Sequence, residues 1–327
     1  MKERYKELDL MKGIGILLVY LGHSFNLNSL EWNRIFEYLY GTIYSFHMPL
    51  FFFISGLLSN TNKEINLEKF YKGKIKRLLV PYLFINLVDF FPRTLFPKLV
   101  NSQFGGVKEI LFYGTKISWF VYTLFIIFMV FPFLDKYIFK KDKYYLFGVI
   151  LVTVNYLKIF ENIEIFSLNK VAIYLLYFYI GYIVRSFYKE KIKNGIGSKN
   201  LIFLIIGVIF LSLSYKYYYL NYFNSVIFGI LGIWFTLNIS LRIKENSIIY
   251  KFFNFLGINS LTFYFIEGFI TVVYRVILLR IISMEHSYLL VSIFFILRIL
   301  TAYIIVKFII AKSSILSFLL GASVEKK

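Results

Sequence analysis

The run Leu8-Asp9-Leu10-Met11-Lys12-Gly13-Ile14-Gly15-Ile16-Leu17-Leu18-Val19-Tyr20-Leu21-Gly22-His23 is an apolar stretch with a cation near its foot and an imidazole near its top. Lys12 and His23 lie eleven positions apart. At about 100° per residue that is roughly three helical turns, so both side chains share one face of a helix. At about 1.5 Å per residue they stand roughly 16 Å apart along the axis. An ionisable ring inside an apolar span is expensive in hydrocarbon and marks a functional position by default.

The rest of the chain extends the same pattern. Of 327 residues 59% are hydrophobic, with 39 Phe and 28 Tyr, against about 45–50% apolar residues in soluble domains. The composition predicts one all-α polytopic membrane domain over residues 1–327, without a separate soluble block. Apolar stretches of about 17–25 residues cross a bilayer, and ten candidates are found at 8–26, 42–60, 78–97, 118–135, 143–158, 170–187, 200–216, 221–241, 254–279 and 287–311. The basic N-terminus leads into an apolar run with no small-residue cleavage site after it, so the first span reads as uncleaved.

Lysine and arginine set the orientation. Alternate loops and the two termini collect 26 of the 37 Lys and Arg, the opposite loops 10, and Arg298 falls within a span. Both termini are therefore expected in the cytoplasm. The formal net charge of +19 follows from this bias beside anionic lipid and does not call for nucleic acid as a partner. The chain has no cysteine and only three histidines, 23, 47 and 286. That excludes disulfides, a thiolate metal site and a cysteine nucleophile, and leaves no motif for a metal.

With this topology His23, His47, Glu267, Asp89 and Arg298 all fall near the middle or in the outer half of the membrane. Burial of each alone would be costly, so they are expected to converge on one another or on a wet cavity. Simple interhelical ion pairs are the alternative, Glu267 with Arg298, and Asp89 with Arg93 one turn along the same helix.

These residues resemble the membrane acyltransferase family 3, in particular its branch similar to fucose 4-O-acetylase. Lys12 and His23 match the family's opening pattern of a basic residue, ten residues and a histidine. Ser45-Phe46-His47-Met48-Pro49-Leu50-Phe51-Phe52-Phe53-Ile54-Ser55-Gly56 resembles its second-helix signature. Lys76-Arg77-Leu78-Leu79-Val80-Pro81-Tyr82, Ser118-Trp119-Phe120, Phe178-Tyr179-Ile180-Gly181-Tyr182 and Leu256-Gly257-Ile258-Asn259-Ser260-Leu261 are similar to later blocks, in order. One place departs. Where the family continues toward Tyr-Leu-x-His, Phe263-Tyr264-Phe265-Ile266-Glu267 carries a glutamate, which accepts a proton or a hydrogen bond and so keeps a polar group there.

The resemblance implies transfer of an acyl group, usually acetyl from acetyl-CoA, to a hydroxyl of a carbohydrate. The acceptor would be an envelope polysaccharide or its lipid-linked precursor, at a cell membrane such as the bacterial cytoplasmic membrane. No permanently bound cofactor is implied. Coenzyme A carries phosphates and is cytoplasmic, so Lys12 and Arg77 are the expected donor contacts. Lys72, Lys74 and Lys76 are explained by loop charge and lipid headgroups. Imidazole ionises near working pH, which makes His23 the expected general base, with transient acylation of His23 as the other route. His47 is expected to orient it or to stabilise the oxyanion, and Glu267 completes the catalytic set. Ser55 and Trp119 are the expected substrate contacts, although tryptophan is also common at membrane interfaces. The competing reading is a transporter or export component for an envelope polysaccharide, with the buried charges lining its path.

Overall fold

A computed structural model describes residues 5–25, 34–59, 65–95, 106–115, 117–139, 144–185, 188, 207, 213, 222–281 and 287–322. Among them the chain is helical. In order, α1 spans Lys6–Ser24, α2 Arg34–Ser59, and α3 Leu67–Lys74, which passes through a π turn at Ile75–Leu79 into α4, Val80–Leu95. A second π turn, Glu109–Tyr113, precedes α5, Trp119–Leu134, and a third, Asp135–Phe139, extends it. Then come α6 (Tyr144–Tyr156), a 3-10 turn at Ile165–Ser167, α7 (Leu168–Val184), α8 (Tyr222–Arg242), α9 (Ile248–Ile258) and α10 (Ser260–Ile281). The chain closes with α11 (Ser287–Ile305), a π turn at Val306–Ile310, and α12 (Ser314–Leu320).

Among the described residues five helices are long and apolar enough to cross a membrane: Ile35–Ser59, Trp119–Phe139, Ile165–Val184, Tyr222–Arg242 and Val291–Ile310. They coincide with five of the ten expected spans. The stretch expected at 254–279 is instead a pair of helices, Ile248–Ile258 and Ser260–Tyr274, bent by 83°. Asn259 makes the corner: its φ of −102° and ψ of 20° leave the helical region, and its side-chain amide donates to the Phe255 carbonyl (3.1 Å). The expected first span is α1, 19 residues, which carries Glu7, Asp9 and Lys12 in its lower turns. The third and fifth correspond to α4 with 16 residues and α6 with 13. The expected span 200–216 lies outside the described residues.

Helices approach closely where glycine removes the Cβ. A Cβ on Gly56 or Gly181 would run into the backbone carbonyl of Phe178 or Phe53, which marks the crossing of α2 with α7. A Cβ on Gly13 or Gly257 would run into the carbonyl of Phe253 or Asp9, where α1 crosses α9. Close backbone contact of this kind is how helices pack where no water drives them together. Three of these glycines sit in the blocks singled out from the sequence, the second-helix signature, the Phe-x-x-Gly-Tyr segment and the Gly-x-x-Ser-Leu segment. Their reason is steric. Gly257→Ala and Gly56→Ala are each expected to lower stability by about 1–3 kcal/mol, the usual range for overpacking, because the obstacle is backbone rather than a movable side chain. Thermal unfolding in detergent measures this, and an unshifted midpoint in both variants would contradict the assignment.

Candidate active site

Two polar regions lie on the same helices, one above the other. The lower is a cavity of about 400 Å³ framed by α1, α2, α3, α5, α10 and the first π turn. Lys12 and Ile16 line it from α1, while Met48, Phe51, Ser55, Leu58 and Ser59 line it from α2. Phe120, Leu124 and Phe128 do so from α5, Ser260, Leu261 and Tyr264 from α10. Lys74, Arg77 and Leu78 complete the wall. The helical spacings explain the faces: 12 and 16, 51, 55 and 59, and 120, 124 and 128 each repeat every four residues.

Charge is concentrated at one end of that cavity. Lys12 reaches Asp9 at 3.3 Å and is mostly buried. Lys74 sits over the Phe128 ring, 3.2 Å from its centroid, and 5.2 Å from that of Phe70. Arg77 is exposed in the π turn. The hydroxyl of Ser55 donates to the Phe51 carbonyl at 2.8 Å, within its own helix. Ser59 and Ser260 add hydroxyls, and the remaining lining is aliphatic and aromatic, with Met48, Phe120 and Tyr264 among it. Such a site suits an elongated ligand with an anionic end and an arm that shuns water.

The upper region joins three of the five ionisable groups expected to converge, with a fourth, His47, on the neighbouring helix. His23 Nδ1 lies 2.9 Å from Glu267 Oε2. The other carboxylate oxygen, Oε1, is paired with Arg298 and accepts from the Thr271 hydroxyl at 2.7 Å. Arg298 is fully buried. Its Nη1 donates to the Tyr20 carbonyl (3.2 Å) and to the Ser24 hydroxyl (3.0 Å), and the guanidinium covers the rings of Phe294 and Tyr20 at 4.6 and 5.3 Å. Thus α1, α10 and α11 are tied by one network. His23 is its accessible member, with 38% of its side chain exposed against 6% for Glu267.

His47 stands on the neighbouring helix. Gly22 packs on Tyr44 and Ile43 of α2, one turn from His47, whose ring is edge-on to Tyr44 at 4.8 Å. His47 Nδ1 is 2.8 Å from the Ile43 carbonyl. A carbonyl only accepts, so Nδ1 carries the hydrogen and Nε2 the lone pair of the neutral ring. The ring of His23 meets Glu267, and that of His47 meets Ile43 and Tyr44.

Lys12, Arg77 and Ser55 share the cavity, His23 and Glu267 touch, and Trp119 belongs to neither group. Its ring packs against Tyr174 (5.5 Å) and Phe120 (6.4 Å), with Lys170 Nζ 5.9 Å from its centroid. Asp89 is on α4, whose main neighbour beyond its own π turn is α12. The side chain of Arg93 and His286 lie outside the described residues. Lys74, Tyr20, Ser24 and Thr271 were not singled out as site residues from sequence.

Among known families, a model described as an acyltransferase domain matches residues 5–307, nearly the whole chain. No curated protein and no solved structure matches it.

Proposed function

This chain belongs to acyltransferase family 3, and we propose that it carries an acyl group, acetyl by preference, from acyl-CoA to a hydroxyl of an envelope carbohydrate or lipid-linked sugar. The observation that carries the reading is the His23–Glu267 contact, which stands on the same faces of α1 and α10 as the cationic cavity below it. The block around His47 supports the fucose 4-O-acetylase-like branch.

In this reading the donor enters from the cytoplasm. Its phosphates meet Lys12, Lys74 and Arg77, with Arg77 able to grip bidentately and the lysines acting as point charges. The pantetheine arm lies along Ile16, Phe51 and Phe120. Glu267 accepts the hydrogen of His23 Nδ1, which leaves the Nε2 lone pair free to work. Nε2 takes the proton of the acceptor hydroxyl as its oxygen bonds to the thioester carbonyl carbon. The carbon–sulfur bond then breaks, and the departing thiolate recovers the proton from His23. The His23–Glu267 contact supplies the base and the group that would orient it, as general-base catalysis requires.

Membranes containing the chain, supplied with acetyl-CoA labelled in the acetyl group, are expected to place label in the carbohydrate fraction. Label confined to protein, or to lipid that carries no sugar, would overturn the acceptor class. Lys12→Ala is expected to raise the donor KM about tenfold or more with kcat little changed, because it removes uniform binding of a charged-group contact worth about 1.5–3 kcal/mol. A fall in kcat at unchanged KM would remove Lys12 from the donor site.

A further inference from the structure

The cavity stops short of His23, and the side chain that stops it is identifiable. Tyr20 stands one turn above Ile16, the uppermost α1 residue of the cavity, and three residues below His23. Its ring is wholly buried. Its hydroxyl crosses to α10 and donates to the carbonyl of Phe263 at 3.0 Å, next to Tyr264 in the cavity wall and one turn below Glu267. The ring therefore bridges α1 and α10, with cavity residues of both helices beneath it and the His23–Glu267 contact above it. Arg298 holds the same place from the third side, bonding the Tyr20 carbonyl and covering the ring. Val19, also buried, fills α1's other flank at that level.

We infer that Tyr20 is a movable partition between the cationic cavity and the His23 compartment, closed in this structure. Its hydroxyl is tethered to α10 by one neutral hydrogen bond, to the Phe263 carbonyl. Opening requires that bond to break and the ring to turn. A closed partition keeps water and ions in the cavity from the polar cluster, and an opened one lets a thioester reach His23. That catalytic consequence rests on the acyl-transfer reading, whereas the partition itself is testable without any activity.

The sequence contains no cysteine, so single-thiol variants of the full chain report access directly. Ser59→Cys and His23→Cys, each with Tyr20 intact or with Tyr20→Ala, are reconstituted in vesicles of one orientation. A membrane-impermeant methanethiosulfonate is applied from the face bearing the lysine-rich loops. Ser59→Cys, at a partly exposed position of the cavity wall, is expected to react readily in both backgrounds. His23→Cys is expected to react slowly behind Tyr20 and about tenfold or more faster with Tyr20→Ala, since the rate follows the fraction of time the path is open. Tyr20→Phe, which keeps the ring and loses only the tether, is expected to fall between and serves if the alanine variant does not fold. Equal rates for His23→Cys with and without the tyrosine, or a protected Ser59→Cys, would overturn the partition. Retention of acyl transfer in His23→Ala would instead sink the catalytic reading and leave the partition standing.

Discussion

His23→Ala is expected to reduce acyl transfer by about 10²–10⁴-fold, the range that a positioned general base supplies, while the protein remains folded in membranes. The structural reason for survival is that His23 is the one member of its network with a substantially exposed side chain. Arg298 keeps Glu267, Tyr20 and Ser24 when the imidazole is gone, so no buried charge is orphaned. The kinetic signature should be a fall in kcat and kcat/KM together with an unchanged donor KM, because the cavity that binds the donor does not include His23. His23→Gln keeps a hydrogen-bonding side chain of similar reach and should be as inactive, which separates loss of basicity from loss of shape. Labelled-acyl incorporation together with elution of a monodisperse protein checks both halves. Transfer within a few-fold of the parent in either variant would remove His23 as the base and, with it, the acyl-histidine route.

How much of this was readable in advance depends on whether the cause was local. The shared face of Lys12 and His23 is a property of one helix, and α1 carries both as the spacing demands. The meeting of His23 with Glu267 depends on two helices more than 240 residues apart in the chain. It was accessible because an ionisable group inside an apolar span needs a partner, and few were on offer. Lys74 was hidden for the opposite reason. Loop lysines have a sufficient explanation in membrane orientation, and only the continuous run of α3 through a π turn, against α5, turns this one into the cavity. The corner at Asn259 was invisible because Leu256-Gly257-Ile258-Asn259-Ser260-Leu261 has no proline and the flanking apolar pattern continues across it. Gly56, Gly181 and Gly257 were legible as motif letters. Their steric cause, a facing carbonyl, exists only once α2 meets α7 and α1 meets α9. Trp119 shows the limit of residue type as a guide, since an aromatic near a span end has packing partners as readily as ligands.

Arg298→Met is expected to cost about 3–5 kcal/mol of stability, the penalty for removing one partner of a buried ion pair, and to abolish transfer with it. The guanidinium is wholly buried and serves three acceptors at once on two other helices: the Glu267 carboxylate, the Tyr20 carbonyl and the Ser24 hydroxyl. Methionine fills much of the space and serves none of them. Glu267 would then keep only Thr271 and His23 around a charge in an apolar bundle, and the carbonyl at Tyr20 would lose a donor. Arg298→Lys should recover only part of the loss, because a single ammonium cannot span a planar fork of partners. The decisive measurement is a double-mutant cycle with Glu267→Gln, by thermal or denaturant unfolding in detergent. Removing both charges leaves neither uncompensated, so the double variant is expected to be more stable than the sum of the singles predicts, with a coupling of about 0.5–3 kcal/mol. If the two losses instead add within about 0.5 kcal/mol, as independent sites do, the pair does not hold α10 to α11. Activity distinguishes the two roles further. The double variant should regain stability without regaining transfer, since Glu267→Gln replaces the carboxylate that receives the His23 hydrogen with an amide that can present its NH₂ there. A double variant that recovered both would mean that the ion pair is a structural fastener alone and that His23 takes its orientation from elsewhere.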